Sequence, residues 1–406
     1  MRRLYTIALR VALPLILLRL WWRGRREPGY RDHVQERLGI YLQPTPAKAL
    51  WVHAVSVGEA RAAAPLVREL KSAYPGHELV MTCTTAAGRE TLKQLYGESV
   101  TAVYMPYDYP EPVQGFLERF RPRLAVLMET ELWPNMLAEC ARYGIPVALA
   151  NARMSEKSAR GYARWRALTG PGIRSLAAVC AQSEPDAARL RALGAPRVEV
   201  TGNLKFDVAL DEVQLVAGRD WRTRLGRQVL LLASTREGEE QLLLSEISPS
   251  RALTLVVPRH PQRFDQVAAL ADSRRTEQKI PGETDRIHLG DTMGEMAFYY
   301  AACDVAVIGG SFMPLGGQNL IEALAAGAPT VVGPSMYNFA EVTRLALEAG
   351  AAIQAPDARA AMARALELLV DRDRRNAMAR AGKALCEAHR GATRRHLEVL
   401  RALVRD

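Results

Sequence analysis

Glu59 is the first residue of this chain placed to do chemistry. It ends His53-Ala-Val-Ser-Val-Gly-Glu59, where the apolar run 49–54 reads as a buried strand. Residues 60–72 follow, with Leu66, Val67 and Leu70 at helical spacing. Ser56-Val-Gly58 is then a tight turn off a strand's carboxyl end, where open parallel α/β sheets bind ligands. A carboxylate there suits a base that takes a proton from a hydroxyl. It equally suits an acid that only complements the helix dipole, and in either role the helix N-terminus should keep it ionised. Leu127-Met-Glu-Thr-Glu-Leu-Trp-Pro-Asn135 sets Glu129 and Glu131 at another strand end, a functional or helix-capping placement. Gly202-Asn-Leu-Lys-Phe-Asp207 supplies the cation Lys205.

The second half of the chain carries ligand-binding signals. Gly309-Gly-Ser311 follows an apolar run, as a backbone that approaches a ligand closely would. Gly316-Gly-Gln-Asn-Leu-Ile-Glu-Ala-Leu-Ala-Ala-Gly327 is a glycine turn opening a helix, whose free amides beside Asn319 suit a phosphate. Glu322, one turn on, is placed to accept from ribose hydroxyls; an ordinary strand-to-helix crossover with Glu322 on the surface fits the same string. Val257-Pro-Arg-His-Pro-Gln-Arg-Phe264 puts Arg259 and His260 where a cation would meet a phosphate or carboxylate. His260 has no second His or Cys at ligand spacing, so a metal role is not expected. Asp291-Thr-Met-Gly-Glu295 reads as a loop entering a helix. Asp371-Arg-Asp373 lies in a charged C-terminal helix and reads as solvated surface.

The elements that must position these residues alternate between strand and helix. Strands are expected at 49–54, 78–84, 100–105, 123–128, 146–150, 177–181 and 197–201, with helices such as 86–96 and 134–143 between them. A second series runs through 229–233, 253–257, 287–289, 305–308, 329–332 and 351–353. Such alternation means parallel sheets covered on both faces. The expected architecture is α/β: two Rossmann-like domains facing a cleft, over 31–207 and 228–375. The polar stretch 208–227 is expected to be a linker with a short helix, and 376–406 C-terminal helices.

Residues 1–30 stand apart. The stretch 4–22 is mostly apolar, but Arg10, Pro14 and Arg19 leave only 11–18 free of charge. A spanning helix wants about 20 apolar residues, and a central Arg costs roughly 2.5–3.5 kcal/mol. Arginines follow where a signal peptide would have its small-residue cleavage site. A membrane-associated helix is expected, with Trp21 and Trp22 at headgroup level and the arginines on anionic phosphates. Spanning and lying flat both remain open; in the spanning case Arg23, Arg25, Arg26 and Arg31 would keep the body cytoplasmic. With 54 basic against 44 acidic residues, the chain favours an anionic partner: acidic lipid or a phosphorylated substrate. Nucleic acid is not expected, because no Lys/Arg run with interleaved aromatics appears in the body. The five cysteines are scattered and read as buried free thiols of a reducing compartment.

Taken together, His53–Glu59, Met128-Glu-Thr-Glu-Leu-Trp-Pro-Asn135, Asn151-Ala-Arg153, Gly202-Asn-Leu-Lys-Phe-Asp207, Pro258-Arg-His-Pro261 and Gly309-Gly-Ser311 resemble the 3-deoxy-D-manno-octulosonic acid (Kdo) transferase family, in order over most of residues 30–340. The resemblance implies a GT-B glycosyltransferase of lipopolysaccharide inner-core assembly. It would move Kdo from CMP-Kdo to a lipid A precursor, lipid IVA, at the cytoplasmic face of the inner membrane, inverting and without metal or cofactor. It implies Glu59 as general base and Glu129 with Lys205 as transition-state stabilisers. For the nucleotide site it implies Arg259, His260, Met293, Gly294, Glu295, Gly310, Ser311, Asn319, Leu320, Ile321 and Glu322. Arg236, Gln318 and Ser335 stand where the family commonly has His. A GT-B enzyme using a UDP-sugar and a non-catalytic binder of acidic lipid are the competing readings. Comparing the thermal stabilisation given by CMP, UDP and buffer separates the three.

Overall fold

The computed structural model describes residues 1–25, 27–208, 210–247 and 251–404. Arg26 of the basic flank, Ala209 of the expected linker and Arg405 near the chain end therefore lie outside the described residues. The chain divides into two units, Met1–Asp207 with Gly391–Asp406, and Val208–Arg390.

The first unit holds a parallel sheet of seven strands: β1 (Ala49–His53), β2 (Glu78–Cys83), β3 (Thr101–Tyr104), β4 (Pro122–Met128), β5 (Val147–Ala152), β6 (Ala178–Ala181) and β7 (Val198–Val200). Their order is β3-β2-β1-β4-β5-β6-β7. Successive strand residues point to opposite faces, and both faces of β1 are apolar. Ala49 and Trp51 join one core cluster, Leu50 and Val52 the other. A strand with no wet face belongs inside a parallel sheet covered by helices on both sides. The strand order reverses between β1 and β4, and a crevice opens at such a switch point outside the carboxyl ends.

The second unit repeats the plan with β8 (Val229–Thr235), β9 (Leu253–Pro258), β10 (Ser273–Arg274), β11 (Ile287–Leu289), β12 (Val305–Ile308), β13 (Thr330–Val332) and β14 (Ala352–Gln354). All pair in parallel in the order β10-β11-β9-β8-β12-β13-β14, so the switch point lies between β8 and β12. β10 was not expected: two polar residues at a sheet edge give no apolar signal.

Three stretches depart from expectation. The helix expected over 60–72 is two, Val57–Ala62 and Ala64–Ala73, breaking at Ala63 beside Pro65, which lacks the N–H to continue the first. The expected linker is largely the 14-residue helix Glu212–Leu225, capped by the Asp211 carboxylate, which accepts from Val213 N at 2.9 Å. It packs against helix Met296–Ala302, within the second unit. Gly218 makes that approach possible: a Cβ there would stand 2.3 Å from the Phe298 carbonyl oxygen. The C-terminal helices also divide. Arg372–His389 stays in the second unit, while Ala392–Arg401 returns to the first and packs on Ala64–Ala73 and β6. Asp207 holds the return, one carboxylate oxygen accepting from Gly391 N at 2.7 Å and the other from Thr393 N.

The N-terminal helix Arg2–Arg23 runs unbroken through Pro14. One face docks on the first unit: the Thr6 hydroxyl donates to Asn135 Oδ1 at 3.1 Å and the Tyr109 hydroxyl to the Leu9 carbonyl at 2.7 Å. Another face leaves Leu4, Val11, Leu15 and Leu18 exposed. By length and composition the helix could cross a membrane. All five cysteines are free, and all but Cys303 are buried.

Candidate active site

At the switch point of the first sheet, the sequence Ser56-Val-Gly-Glu59 builds a helix start by itself. Ser56 Oγ accepts from Glu59 N at 3.4 Å, and the Glu59 carboxylate reaches back to accept from Val55 N at 2.8 Å. This is close to a reciprocal capping box, with the carboxylate reaching one residue beyond the cap. The turn leaves the Glu59 carboxyl only partly exposed. Burial pushes its pKa from the ordinary 4.5 up to about 7, against the Val55 hydrogen bond and with the Glu129 and Glu131 charges assisting. The helix start therefore does not hold Glu59 firmly ionised as expected; loss of water outweighs it.

Glu129 follows β4, across the switch point from β1. Its φ of +57° is unusual for a residue with a side chain. Its amide still bonds the Ala150 carbonyl at 2.9 Å, so the strained residue is fixed by the sheet. Glu131 accepts from Trp133 Nε1 at 2.7 Å, and burial raises its pKa. Three carboxylates thus share one end of the sheet. His53 lies beneath them, fully buried, bonded to Thr82 Oγ1 at 2.8 Å and edge-on to Trp133. Burial lowers its pKa to about 4, so it stays neutral.

Lys205 sits in a short turn, Leu204–Phe206, past the carboxyl end of β7 and so on the same side of the parallel sheet as the three carboxylates. Asn151, also at positive φ, marks a register shift in β5. Its Oδ1 accepts from Leu204 N at 3.0 Å, and Asn203 Oδ1 accepts from Lys205 N at 2.9 Å. His396 Nε2, on the returning C-terminal helix, accepts from Asn151 N at 2.9 Å, while its Nδ1 meets the Ala392 carbonyl. Burial keeps His396 neutral, with a pKa of about 4. Sequence reading missed His396; a lone His in a charged helix carries no local signal.

In the second unit, two adjacent carboxylates that sequence reading passed over organise the sheet end. Glu239 accepts from Gly310 N at 2.6 Å, Phe312 N at 3.0 Å and Arg236 N at 2.9 Å. Glu240 takes Arg263 bidentately and the Thr235 hydroxyl at 2.6 Å. Both are buried. The string Glu237-Gly-Glu-Glu240 after β8 was the available clue. Gly309 packs against its own chain, where a Cβ would stand 2.6 Å from Thr235 Cα. The Ser311 side chain is likewise committed, donating to the Ile308 carbonyl at 2.5 Å and accepting from Gly333 N at 2.8 Å.

Other expected donor-site residues fall into two groups. Arg259 and His260 stand just past β9, and the Arg236, Arg259 and Arg263 charges lower the His260 pKa further after desolvation. Arg259 also lies close enough to Glu322 to stabilise its charge, although burial raises the Glu322 pKa on balance. Asn319 Nδ2 donates to Glu322 Oε1 at 2.9 Å, and its Oδ1 accepts from Ile321 N at 3.0 Å. That helix-start amide is therefore occupied. Leu320 and Ile321 are core residues, fully buried. In the remaining loop Met293 is exposed, Gly294 has φ +79° and accepts from Gln214, and Glu295 is held by Arg275 and Thr292. Asp371 caps helix Arg372–His389 on the surface. Among the described residues, no three His, Cys, Asp or Glu side chains converge as metal ligands would.

Residues 32–208 match the family described as 3-deoxy-D-manno-octulosonic-acid transferase (kdotransferase), and residues 274–385 match glycosyl transferases group 1. The chain is 46% identical to a 3-deoxy-D-manno-octulosonic acid transferase of Bordetella pertussis, with 98% of each chain covered. It is 34% identical to the enzyme of the same name from Haemophilus influenzae, again over 98% of each. Among solved structures it is similar in fold to MurG of Acinetobacter baumannii, at 12% identity and a TM-score of 0.57, covering 88% of this chain and 100% of that one.

Proposed function

Because the chain belongs to the Kdo transferase family, we propose that it transfers Kdo from CMP-Kdo to lipid IVA, inverting the anomeric carbon and without a metal or cofactor. The observation that carries this reading is Glu59, a carboxyl with a pKa of about 7 beside two further carboxylates at a sheet switch point. A base poised near neutral pH is efficient at taking a proton from an attacking hydroxyl. The acceptor oxygen bonds to the anomeric carbon as the bond from that carbon to the CMP phosphate breaks, and Glu59 takes the hydroxyl proton. Inversion needs this single displacement and no sugar–enzyme bond. Glu129 and Lys205 stabilise charge in the transition state.

The second unit supplies the donor site. Arg259, with Arg236 and His260 near it, meets the single phosphate of CMP, and Glu322, oriented by Asn319, accepts from ribose hydroxyls. A monophosphate leaving group carries less charge than a pyrophosphate, so cations and backbone donors suffice. The N-terminal helix lies on the cytoplasmic face of the inner membrane, its exposed apolar face in lipid and its arginines on anionic headgroups. The test is incubation with CMP-Kdo and a tetraacylated bisphosphorylated disaccharide, products weighed by mass spectrometry. A mass gain of one or more Kdo residues is expected; an unchanged acceptor refutes the reading.

A further inference from the structure

Two apolar cavities border the docked N-terminal helix, and neither is used by the reaction as described. The larger, about 610 Å³, lies between that helix and helices Glu156–Arg164 and Arg166–Arg174, walled by Leu4, Tyr5, Tyr162, Trp165 and Leu168. The smaller, about 250 Å³, shares Tyr5 and is bounded by Leu9, Ile16, Leu132 and Trp133. The larger falls within the usual size of small-ligand sites, about 300–1,000 Å³.

Both cavities adjoin the loop that carries Glu129 and Glu131. The Tyr162 hydroxyl donates to the Thr130 carbonyl at 3.2 Å, and Trp133 donates to Glu131 at 2.7 Å. Beside the larger groove, Lys157, Arg160, Arg164 and Arg166 are all exposed. An apolar groove on helices that carry exposed cations, ending at the Glu129–Glu131 loop, is complementary to an anionic amphiphile whose head must reach that loop. We infer that the grooves receive acyl chains of the phosphorylated acceptor, so that the N-terminal helix is a wall of the acceptor site as well as a membrane contact. This rests on the acylated acceptor proposed above. A bulk bilayer lipid would have no reason to be led to the Glu129–Glu131 loop.

Gly161 lines the larger groove on a helix, and a Cβ added there meets nothing within 4 Å. Gly161→Phe therefore projects into the groove from an unobstructed Cβ, at a position where losing glycine favours the helix. Gly161→Ala leaves the groove open, and Ala8→Phe fills it from the opposite wall. The measurement is kcat/KM for the tetraacylated disaccharide against its fully deacylated counterpart, with CMP-Kdo as donor and thermal melts confirming folding. Wild type and Gly161→Ala should prefer the acylated acceptor at least about tenfold, as buried methylenes require. Both Phe variants should bring that ratio near one, through KM for the acylated acceptor rather than through kcat. A wild-type ratio near one, or an unchanged ratio in folded Phe variants, overturns the inference. Lost binding to anionic vesicles with the ratio intact would assign the grooves to bilayer lipid and overturn it too. Transfer to neither acceptor by wild type would instead bring down the acceptor reading itself, and this inference with it.

Discussion

Replacing Glu59 by Gln separates a base from a helix-dipole partner, because turnover and stability should move in opposite directions. The carboxyl titrates near 4.5 when unfolded and at about 7 when folded. A group whose folded pKa is raised favours the native state fully below its unfolded pKa. That contribution is lost as pH rises through the folded value. The wild type should therefore lose stability between about pH 4.5 and 7 from this group. At about 1.36 kcal/mol per tenfold change in proton affinity, the loss is on the order of 3 kcal/mol. Gln cannot ionise and escapes it, so Glu59→Gln should be the more stable protein at pH 8 and close to wild type at pH 4. Its kcat should fall by about 10²–10⁴-fold, the range for removing a general base. The wild-type kcat/KM should rise with pH to a plateau above about 7, and the variant's residual rate should lack that limb. Urea melts at the two pH values and a kcat/KM profile measure all of this. Turnover within about threefold of wild type, far from the loss of a base, together with a stability loss of about 0.3–1 kcal/mol at pH 8, would reduce Glu59 to a dipole partner.

CMP at about a hundredfold over its dissociation constant should stabilise the protein by roughly 2.7 kcal/mol, unchanged by EDTA; abolition of both stabilisation and turnover by EDTA would refute metal independence. Deleting residues 1–22 should leave both sheets and CMP binding in place, because that helix contributes no strand, and should weaken partitioning onto anionic vesicles; unchanged partitioning would move the membrane contact elsewhere. Glu239→Gln keeps size but can no longer accept at every oxygen from the three amides it holds. It should destabilise the protein by about 1–3 kcal/mol and weaken CMP binding, checked by melts and calorimetry; an unaffected CMP affinity would detach this carboxylate from the donor site.

The sheets were legible because their central strands are apolar on both faces, and every expected run, from 49–54 to 351–353, became a strand. What escaped was structure with no apolar period. β10 is Ser-Arg, and helix Glu212–Leu225 hides its packing face behind Gly218, a residue that looks like a breaker until its neighbour Phe298 is seen. Strand ends announced the carboxylates Glu59, Glu129 and Glu131, since a charge there is either functional or caps the helix that follows. The supporting groups stayed silent. Glu239 and His396 act on backbone amides brought from far along the chain, and Glu59's proton affinity depends on how much water its turn excludes. Position along the sequence encodes neither.

The return of the chain to the first unit has a consequence for biosynthesis. That unit is discontinuous: about 180 residues of the second unit intervene before Gly391 reaches Asp207. At about 5–20 residues per second, the ribosome delivers the closing helix roughly 10–40 s after β7. Throughout that interval the Asn151 amide lacks its His396 acceptor, and the apolar face that later takes Leu397 and Leu400 is bare. The nascent first half therefore waits as a nearly complete sheet with one unsealed side. The second unit, whose segments are contiguous, can finish folding first, reversing the usual order in which amino-terminal domains mature.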